Sequence, residues 1–193
     1  MTSAAGDWPA LVALGEPMVE FNQARNDAPA VYLRGFGGDT SNMAIAAARL
    51  GARVGYVTRL GNDAFGRLFR NLWQAEGVDM AGVATDDEAP TGVYFVTHGE
   101  HGHEFSYLRA GSAASRMRPE TLPLDVIRSA RLLHVSGVEE TRRLAAKVER
   151  PRARIVALKV SSLARKCYCA LDKGPELFGF RQSGDNAFLA GID

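Results

Sequence analysis

A glycine-rich stretch followed by hydroxyl and amide side chains is the part of this sequence best suited to chemistry. Residues 34–42 read R-G-F-G-G-D-T-S-N, and the alanine-rich run after them ends at Gly51. Glycines permit close backbone approaches that a side chain would forbid, and Thr40, Ser41 and Asn42 offer N-cap oxygens to a helix that starts at once. Amides that face outward at a helix N-terminus favour an oxygen-rich or anionic ligand. The alternative is a tight loop that only lets the helix pack closely on a sheet.

The elements around this stretch have the order of an α/β protein with a mostly parallel sheet. An apolar run through Leu14 predicts a buried strand, and Glu16 and Pro17 follow at its carboxyl end, where open α/β sheets bind ligands. Asp63 is the predicted N-cap of a second, amphipathic helix. The other predicted elements are strands at 31–33, 54–60, 131–136 and 155–160 and helices at 41–50, 123–130 and 139–150.

A second group of short strands has no helix between its members. Residues 78–83, 91–97 and 104–108 have β-like patterns separated by turns, so we expect an antiparallel flap outside the main sheet. Residues 98–103 read H-G-E-H-G-H, and the three histidines raise the hypothesis of a zinc site. Zinc needs closed ligation, commonly from more than one element, so a polar hairpin tip is the better account and no metal site is predicted. His134 lies in an apolar strand and is predicted to be a core histidine.

Composition and charge exclude several classes of function. The 193 residues suffice for one domain with a core, and their net charge of +1 gives no field that favours nucleic acid or a membrane surface. Cys167 and Cys169 are one residue apart, where a disulfide would be strained, so reduced thiols and a cytoplasmic location are expected. Neither a signal peptide nor an apolar run approaching ~20 residues is visible.

Several motifs recur in unbroken order over residues 10–138. They are L-G-E-P at 14–17, G-F-G-G-D-T-S-N-M-A at 35–44, A-R-L-G-A-R-V-G-Y-V-T-R-L-G-N-D-A-F-G at 48–66, T-G-V-Y at 91–94, Y-L-R and G-S-A within 107–113, and L-H-V-S-G at 133–137. This set resembles the ribokinase-type (PfkB) carbohydrate kinases, and within them the 2-keto-3-deoxygluconate kinases. The resemblance implies a doubly wound, mostly parallel sheet with a small antiparallel β lid. It also implies transfer of a phosphoryl group from ATP, with Mg²⁺, to a sugar-acid hydroxyl, and a homo-oligomer formed through lid strands.

The resemblance assigns a substrate site as well. The family's sugar-binding segment matches Gly38, Asp39, Thr40, Ser41 and Asn42, and its keto-acid-binding lid positions match Tyr94, Tyr107, Leu108 and Arg109. The chemistry agrees, because Asp39 and Asn42 can exchange hydrogen bonds with hydroxyls and Arg109 can hold a carboxylate in a two-pronged contact. The two tyrosines offer a flat apolar face with a polar tip. Taken singly, a flap arginine is usually solvated and a strand tyrosine is usually packing.

The last part of the chain departs from the family pattern. The catalytic aspartate of the family lies in a Gly-Ala-Gly-Asp motif at a helix N-terminus, and that motif is not found here. The stretch 183–188 invites the comparison but has the wrong spacing, so Asp185 is not assigned as the base and no catalytic residue is predicted. Residues 139–193 are therefore expected to be a truncated or divergent tail. ATP and Mg²⁺ follow from the family, whereas this tail offers no support for their binding by the chain.

The sequence thus predicts one incomplete carbohydrate-kinase domain over residues 8–193, with lid strands at about 16–36 and 78–110. Two functions remain open: phosphorylation of a sugar acid such as 2-keto-3-deoxygluconate, or a non-catalytic module that binds a sugar acid or pairs through its lid. A dinucleotide-dependent oxidoreductase is excluded, because its G-x-G-x-x-G would directly follow the first strand, where Gly15, Glu16 and Pro17 stand instead.

Overall fold

Two β-sheets organise the described part of the chain. The computed structural model describes residues 9–24, 31–100, 102–135 and 154–157, all within one unit that spans residues 1–160. The strands are β1 (Leu11–Leu14), β2 (Met18–Gln23), β3 (Tyr32–Gly37), β4 (Val54–Gly61), β5 (Asp79–Asp86), β6 (Val93–Gly99), β7 (Gly102–Leu108), β8 (Leu132–Val135) and β9 (Arg154–Ala157). The helices are α1 (Asp39–Arg49), α2 (Ala64–Ala75) and α3 (Leu124–Ser129), with 3₁₀ turns at Ala114–Arg116 and Pro119–Thr121.

The larger sheet, sheet A, is parallel and has the strand order β5-β4-β1-β8-β9. Its central strand β1 pairs with β4 on one side and β8 on the other, with Leu11 opposite both Val54 and Leu132. Side chains of β1 alternate between the two faces, and each face has its own apolar cluster. The expected doubly wound, mostly parallel α/β sheet is therefore confirmed.

Helices cover both faces of sheet A. One cluster joins Val12 and Leu14 of β1 to Ile127 of α3, and the other joins Ala13 to the side chains of α1 and α2. The buried members of the second cluster are Ala13, Val19, Ala44, Ile45, Val54, Tyr56, Leu60, Phe69, Trp73 and Val78. Helix α2 contributes its largest side chains to this cluster, because Phe69 and Trp73 are four residues apart and lie on one helical face.

The smaller sheet, sheet B, corresponds to the expected β lid and has the order β3-β2-β6-β7. The pairs β2–β3 and β6–β7 are antiparallel, but β2 and β6 run parallel, so the lid is mixed. Aromatic contacts fasten sheet B to α2: the rings of Phe36 and Phe69 have centroids 5.3 Å apart, and those of Phe21 and Phe65 are 5.9 Å apart. Strand β2 falls within the range of about 16–36 predicted for the lid, and β3 ends one residue beyond it at Gly37.

The prediction that residues 78–83 join the flap is wrong. These residues belong to β5, which pairs in parallel with β4 in sheet A, as in the register of Leu60 with Thr85. The reason is that α2 provides the crossover of a β-α-β unit, which returns the chain parallel to β4. No helix follows β5, which made its pattern look like that of its flap neighbours.

The start of α1 also differs from the prediction. The helix begins at Asp39 with Gly38 as N-cap, and neither Thr40 nor Ser41 nor Asn42 supplies a side-chain cap. Gly38 adopts a φ of 101°, which only glycine adopts readily, so the backbone itself turns into the helix. The predicted cap of α2 is confirmed: Asp63 accepts a hydrogen bond from the Gly66 amide at 2.7 Å.

Several predictions concern residues outside the described ranges. These are the helix at 139–150, the two cysteines, the comparison at 183–188 and most of the tail at 139–193. Within that tail, β9 falls at the predicted strand 155–160. None of the described helices is long and apolar enough to cross a membrane.

Candidate sugar site

The glycine pair before α1 packs between the end of β1 and a lid tyrosine. A Cβ atom on Gly38 would lie 2.6 Å from the backbone oxygen of Glu16. A Cβ atom on Gly37 would lie 2.4 Å from Tyr94 Oη. Both distances are shorter than real Cβ contacts, so the two glycines let three separate segments meet at one point. This point is the carboxyl end of β1, where a doubly wound sheet binds ligands.

Glu16 is the polar centre of this meeting point. Its Oε2 lies 2.6 Å from Arg109 Nη2, and its Oε1 accepts a hydrogen bond of 2.6 Å from Ser112 Oγ. The carboxylate is largely buried, whereas the arginine side chain is 35% exposed. Gly92 leaves room for this group, since a Cβ there would lie 2.8 Å from Glu16 Oε1. Glu16 therefore holds Arg109 at the edge of the site, with the arginine side chain partly open to solvent.

Tyr94 forms the lid side of the site. Its hydroxyl donates a short hydrogen bond to Glu20 of β2, and both residues are buried. Its ring stacks on Tyr107 of the neighbouring strand, with centroids 5.6 Å apart. Tyr107 itself is 53% exposed, and Leu108 beside it is 65% exposed. Tyr94 is thus fixed against Gly37, while the rest of the predicted lid wall faces solvent.

The hydroxyl groups of Thr40 and Ser41 form hydrogen bonds with buried side chains of the core. Thr40 Oγ1 lies 2.6 Å from the hydroxyl of Tyr56, and Ser41 Oγ accepts a hydrogen bond of 3.0 Å from Trp73 Nε1. Burial raises the pKa of Tyr56 far above its usual range, so its hydroxyl stays protonated and bonded to Thr40. These two predicted site residues therefore anchor α1 to the core with their side chains.

Asp39 and Asn42 are the polar side chains of α1 that remain for a ligand. Asn42 Oδ1 is buried and meets no hydrogen-bond donor among the described residues. A buried acceptor without a partner is costly, and a ligand hydroxyl would satisfy it. Partial desolvation raises the pKa of Asp39, whose carboxyl stands in the first turn of α1. Both groups suit a polyhydroxylated ligand.

The structure brings three of the nine predicted site residues together at the carboxyl end of β1. Gly38, Tyr94 and Arg109 are linked through their contacts with Glu16, Gly37 and Gly92. Sequence reasoning noted Glu16 only for its place after β1 and did not include it in the site. It missed Glu20 altogether, because an acidic residue in a polar stretch carries no sign of its buried tyrosine partner.

Two predictions about histidines concern His134 in the core and the hairpin tip at residues 98–103. His134 is buried as predicted, and desolvation lowers its pKa to about 4. His98 and His103 face each other near the end of the β6–β7 hairpin, as the predicted polar tip requires. His101 lies outside the described residues, among which no group of three acidic, histidine or cysteine side chains could hold a metal ion.

Comparisons with known proteins agree with this architecture. A model of the pfkB family carbohydrate kinases matches residues 10–155. Probable fructokinase-3 of Arabidopsis thaliana is 35% identical over 144 residues, which cover 72% of this chain and 41% of that protein. The 2-dehydro-3-deoxygluconokinase of Thermoproteus tenax is 38% identical over 135 residues, covering 66% of this chain and 41% of that protein. The chain thus spans about two fifths of the length of these relatives.

A solved structure shows the same fold. Fructokinase from Xylella fastidiosa, determined with bound ATP, superposes with a TM-score of 0.65 at 22% identity. The match covers 84% of this chain and 55% of that protein.

Proposed function

Because the chain belongs to the pfkB family of carbohydrate kinases, we propose that it serves in ATP-dependent phosphorylation of a sugar hydroxyl in the cytoplasm. Its described residues form the site for the acceptor sugar. The observation that carries this assignment is the packing at the carboxyl end of β1, where Gly38 and Arg109 approach Glu16 and Tyr94 packs against the neighbouring Gly37. Phosphoryl transfer depends mainly on positioning and charge stabilisation, and this half of the site supplies positioning.

The proposed substrate is a sugar acid resembling 2-keto-3-deoxygluconate. Relatives of the chain are named for fructose and for 2-dehydro-3-deoxygluconate, which is the same sugar acid under another name. Arg109 favours the acid, because a guanidinium has five N–H donors and the contact with Glu16 is made through Nη2. The remaining donors suit a ligand carboxylate in a charge-assisted contact. The hydroxyls of the sugar would then reach Asp39 and Asn42.

ATP and Mg²⁺ enter this proposal through the family. Among the described residues, no group of three acidic, histidine or cysteine side chains could hold a metal ion, and Mg²⁺ is usually bound through one or two carboxylates together with substrate phosphates. The chemistry that we assign to these residues is therefore limited to binding and orienting the acceptor. Gly37 and Gly38 set the position of α1, Arg109 orients the acid end, and Tyr94 closes the lid side.

A turnover assay tests the proposal. ADP release is followed in a coupled assay with 2-keto-3-deoxygluconate, with fructose and without sugar. Release that depends on the sugar acid supports the kinase function. Binding of the sugar acid without any ADP release would instead favour the non-catalytic module, and absence of both binding and release would contradict the proposed site.

We also propose that sheet B pairs with a second copy of the chain. Its two edge strands are β3 and β7. Leu33 of β3 is 63% exposed and Leu108 of β7 is 65% exposed. The rings of Phe105 and Tyr107, also in β7, are exposed as well. Exposed strand edges with apolar side chains favour strand pairing. Sedimentation velocity is expected to show a dimer for the native chain and a monomer for Leu108→Glu, and a monomer for both would contradict this pairing.

A further inference from the structure

Two histidines face each other across the β6–β7 hairpin, away from the candidate sugar site. His98 pairs in register with His103, and their Nδ1 atoms are 2.7 Å apart. The ring planes meet at 75° with centroids 4.7 Å apart. Since His103 is exposed, this pair lies within reach of solutes.

The hydrogen bonds of β2 determine which nitrogen of His98 carries its proton. Asn22 Nδ2 donates to Glu20 Oε1 at 3.0 Å, and a carboxylate can only accept. Asn22 Oδ1 therefore faces His98 Nε2, at 2.9 Å, and must accept a proton from it. In the neutral ring this leaves the lone pair on His98 Nδ1, directed at His103. The backbone amide of His98 is held as well, by a 2.9 Å bond to Gln23 Oε1.

We propose that His98 and His103 form a two-histidine site for a divalent transition-metal ion with tetragonal geometry, of the Cu²⁺ or Ni²⁺ class. Metal–imidazole bonds of about 2.0–2.1 Å require nitrogens ~2.9 Å apart for two neighbouring positions at 90°, and ~3.3 Å apart for a tetrahedral ion. The observed 2.7 Å is the hydrogen-bond distance of the metal-free pair, and a lengthening of roughly 0.2 Å would bring the two nitrogens to the first value. Imidazole nitrogens in square-planar arrangement suit Cu²⁺ and Ni²⁺, and Cu²⁺ binds most tightly in this series.

Binding needs only a small change in the pair. In the metal-free protein, His103 Nδ1–H donates a hydrogen bond to His98 Nδ1. When the metal ion binds to Nδ1 of His103, the proton of that nitrogen moves to Nε2 of the same ring. The neutral pair then gains the metal without losing a proton. Asn22 keeps the Nε2 proton of His98 in place, which is the outer hydrogen bond that metal-binding histidines usually have. Water would complete the coordination.

The site is connected to the sugar side by hydrogen bonds. His98 binds Asn22, Asn22 binds Glu20, and Glu20 accepts the hydroxyl of Tyr94. A metal ion that links β6 to β7 would therefore stiffen the hairpin that carries Tyr94 and Tyr107. This placement makes the metal site a separate feature from the acceptor-sugar site, and its test does not depend on kinase activity.

Calorimetric titration of tag-free protein with NiCl₂, and electron paramagnetic resonance with CuCl₂, test the site. Both cysteines are replaced by serine, so that thiols do not compete for the metal. We expect one metal ion to bind per chain, and we expect the copper spectrum to show two imidazole nitrogen ligands. His98→Ala and His103→Ala should each weaken Ni²⁺ binding at least tenfold, and Asn22→Leu by about 10–100-fold, the usual effect of losing an outer hydrogen bond.

His101→Ala is the matched control, because it removes the histidine that lies between His98 and His103 in the sequence and should change the affinity less than threefold. The spectrum of Cu²⁺ on the unchanged pair gives a readout that does not depend on any histidine variant folding. Absence of a nitrogen-bound ion, equal Ni²⁺ affinity in the parent and both pair variants, or loss of binding in His101→Ala alone would overturn the proposal.

Discussion

In the proposed site, the choice of substrate depends on Arg109. Its guanidinium is held by Glu16, which is itself fixed by Ser112, so the arginine is positioned before any ligand arrives. Preorganised charge is worth more in binding than a freely rotating side chain, because less entropy is lost. Glu16 also partly neutralises the positive charge of Arg109, so a ligand carboxylate would share the guanidinium with Glu16.

Replacing Arg109 should therefore affect acids selectively. Arg109→Ala is expected to weaken binding of 2-keto-3-deoxygluconate by about 1.5–3 kcal/mol, the range for a hydrogen bond to a charged group, as measured by calorimetry. Arg116→Ala is the matched control, because Arg116 is also partly exposed and ion-paired, with Asp86 and Glu88, but lies outside the site. An unchanged affinity in Arg109→Ala would remove this residue from the site.

The geometry of the proposed site depends on how three segments of the chain approach each other. The β1–β2 connection supplies Glu16, the β3–α1 connection supplies the glycine pair, and β6 supplies Tyr94. The two glycines are required because backbone and ring atoms occupy the space of their missing side chains. The hydroxyls of Thr40 and Ser41 then fasten α1 to β4 and α2.

Gly38 and Gly51 separate the effect of close approach from that of backbone angle. Both have positive φ values, 101° and 87°, but a Cβ on Gly51 would meet nothing within 4 Å. Gly51→Ala is expected to lower the free energy of unfolding by about 1–2 kcal/mol, the usual cost of a left-handed residue with a side chain. Gly38→Ala should cost distinctly more and abolish sugar binding. Equal losses in urea unfolding would show that the contact with Glu16 is not close.

The sequence predicted these elements better than their partners. Periodicity and glycine spacing located α1, α2 and most of the strands but not β2, and Asp63 was correctly identified as a cap. The sequence could not show that β5 joins sheet A, because a short apolar pattern indicates that a strand is buried but not which strand it pairs with. The pairs Glu16–Arg109 and Glu20–Tyr94 were likewise invisible, since each joins residues far apart in the chain.

For the molecule as a whole, the buried His134 should make stability depend on pH. His134 lies in β8 of sheet A, 3% exposed, and its Nε2 meets no partner among the described residues. Desolvation lowers its pKa from 6.5 to about 4 in the folded state. Unfolding therefore takes up a proton between these values, so the stabilisation is complete above pH 6.5 and declines as the pH falls toward 4.

Urea unfolding at pH 7 and pH 5 measures this effect. The free energy of unfolding should be lower at pH 5 by about 1–2 kcal/mol through His134. His134→Leu removes the titrating group and should give a smaller difference between the two pH values. A pH dependence identical to that of the native chain would mean that the pKa of His134 does not change on folding.

The proposed acceptor-sugar site lies where the carboxyl end of β1 meets the mixed lid, and its central feature is the Arg109 guanidinium, which we expect to bind the carboxylate of a sugar acid. Calorimetric titration of the native chain with 2-keto-3-deoxygluconate and with fructose tests this most directly. We expect the acid to bind at least tenfold more tightly, which corresponds to about 1.4 kcal/mol. Equal affinity for the two sugars, or tighter binding of fructose, would contradict the assignment of a sugar-acid site.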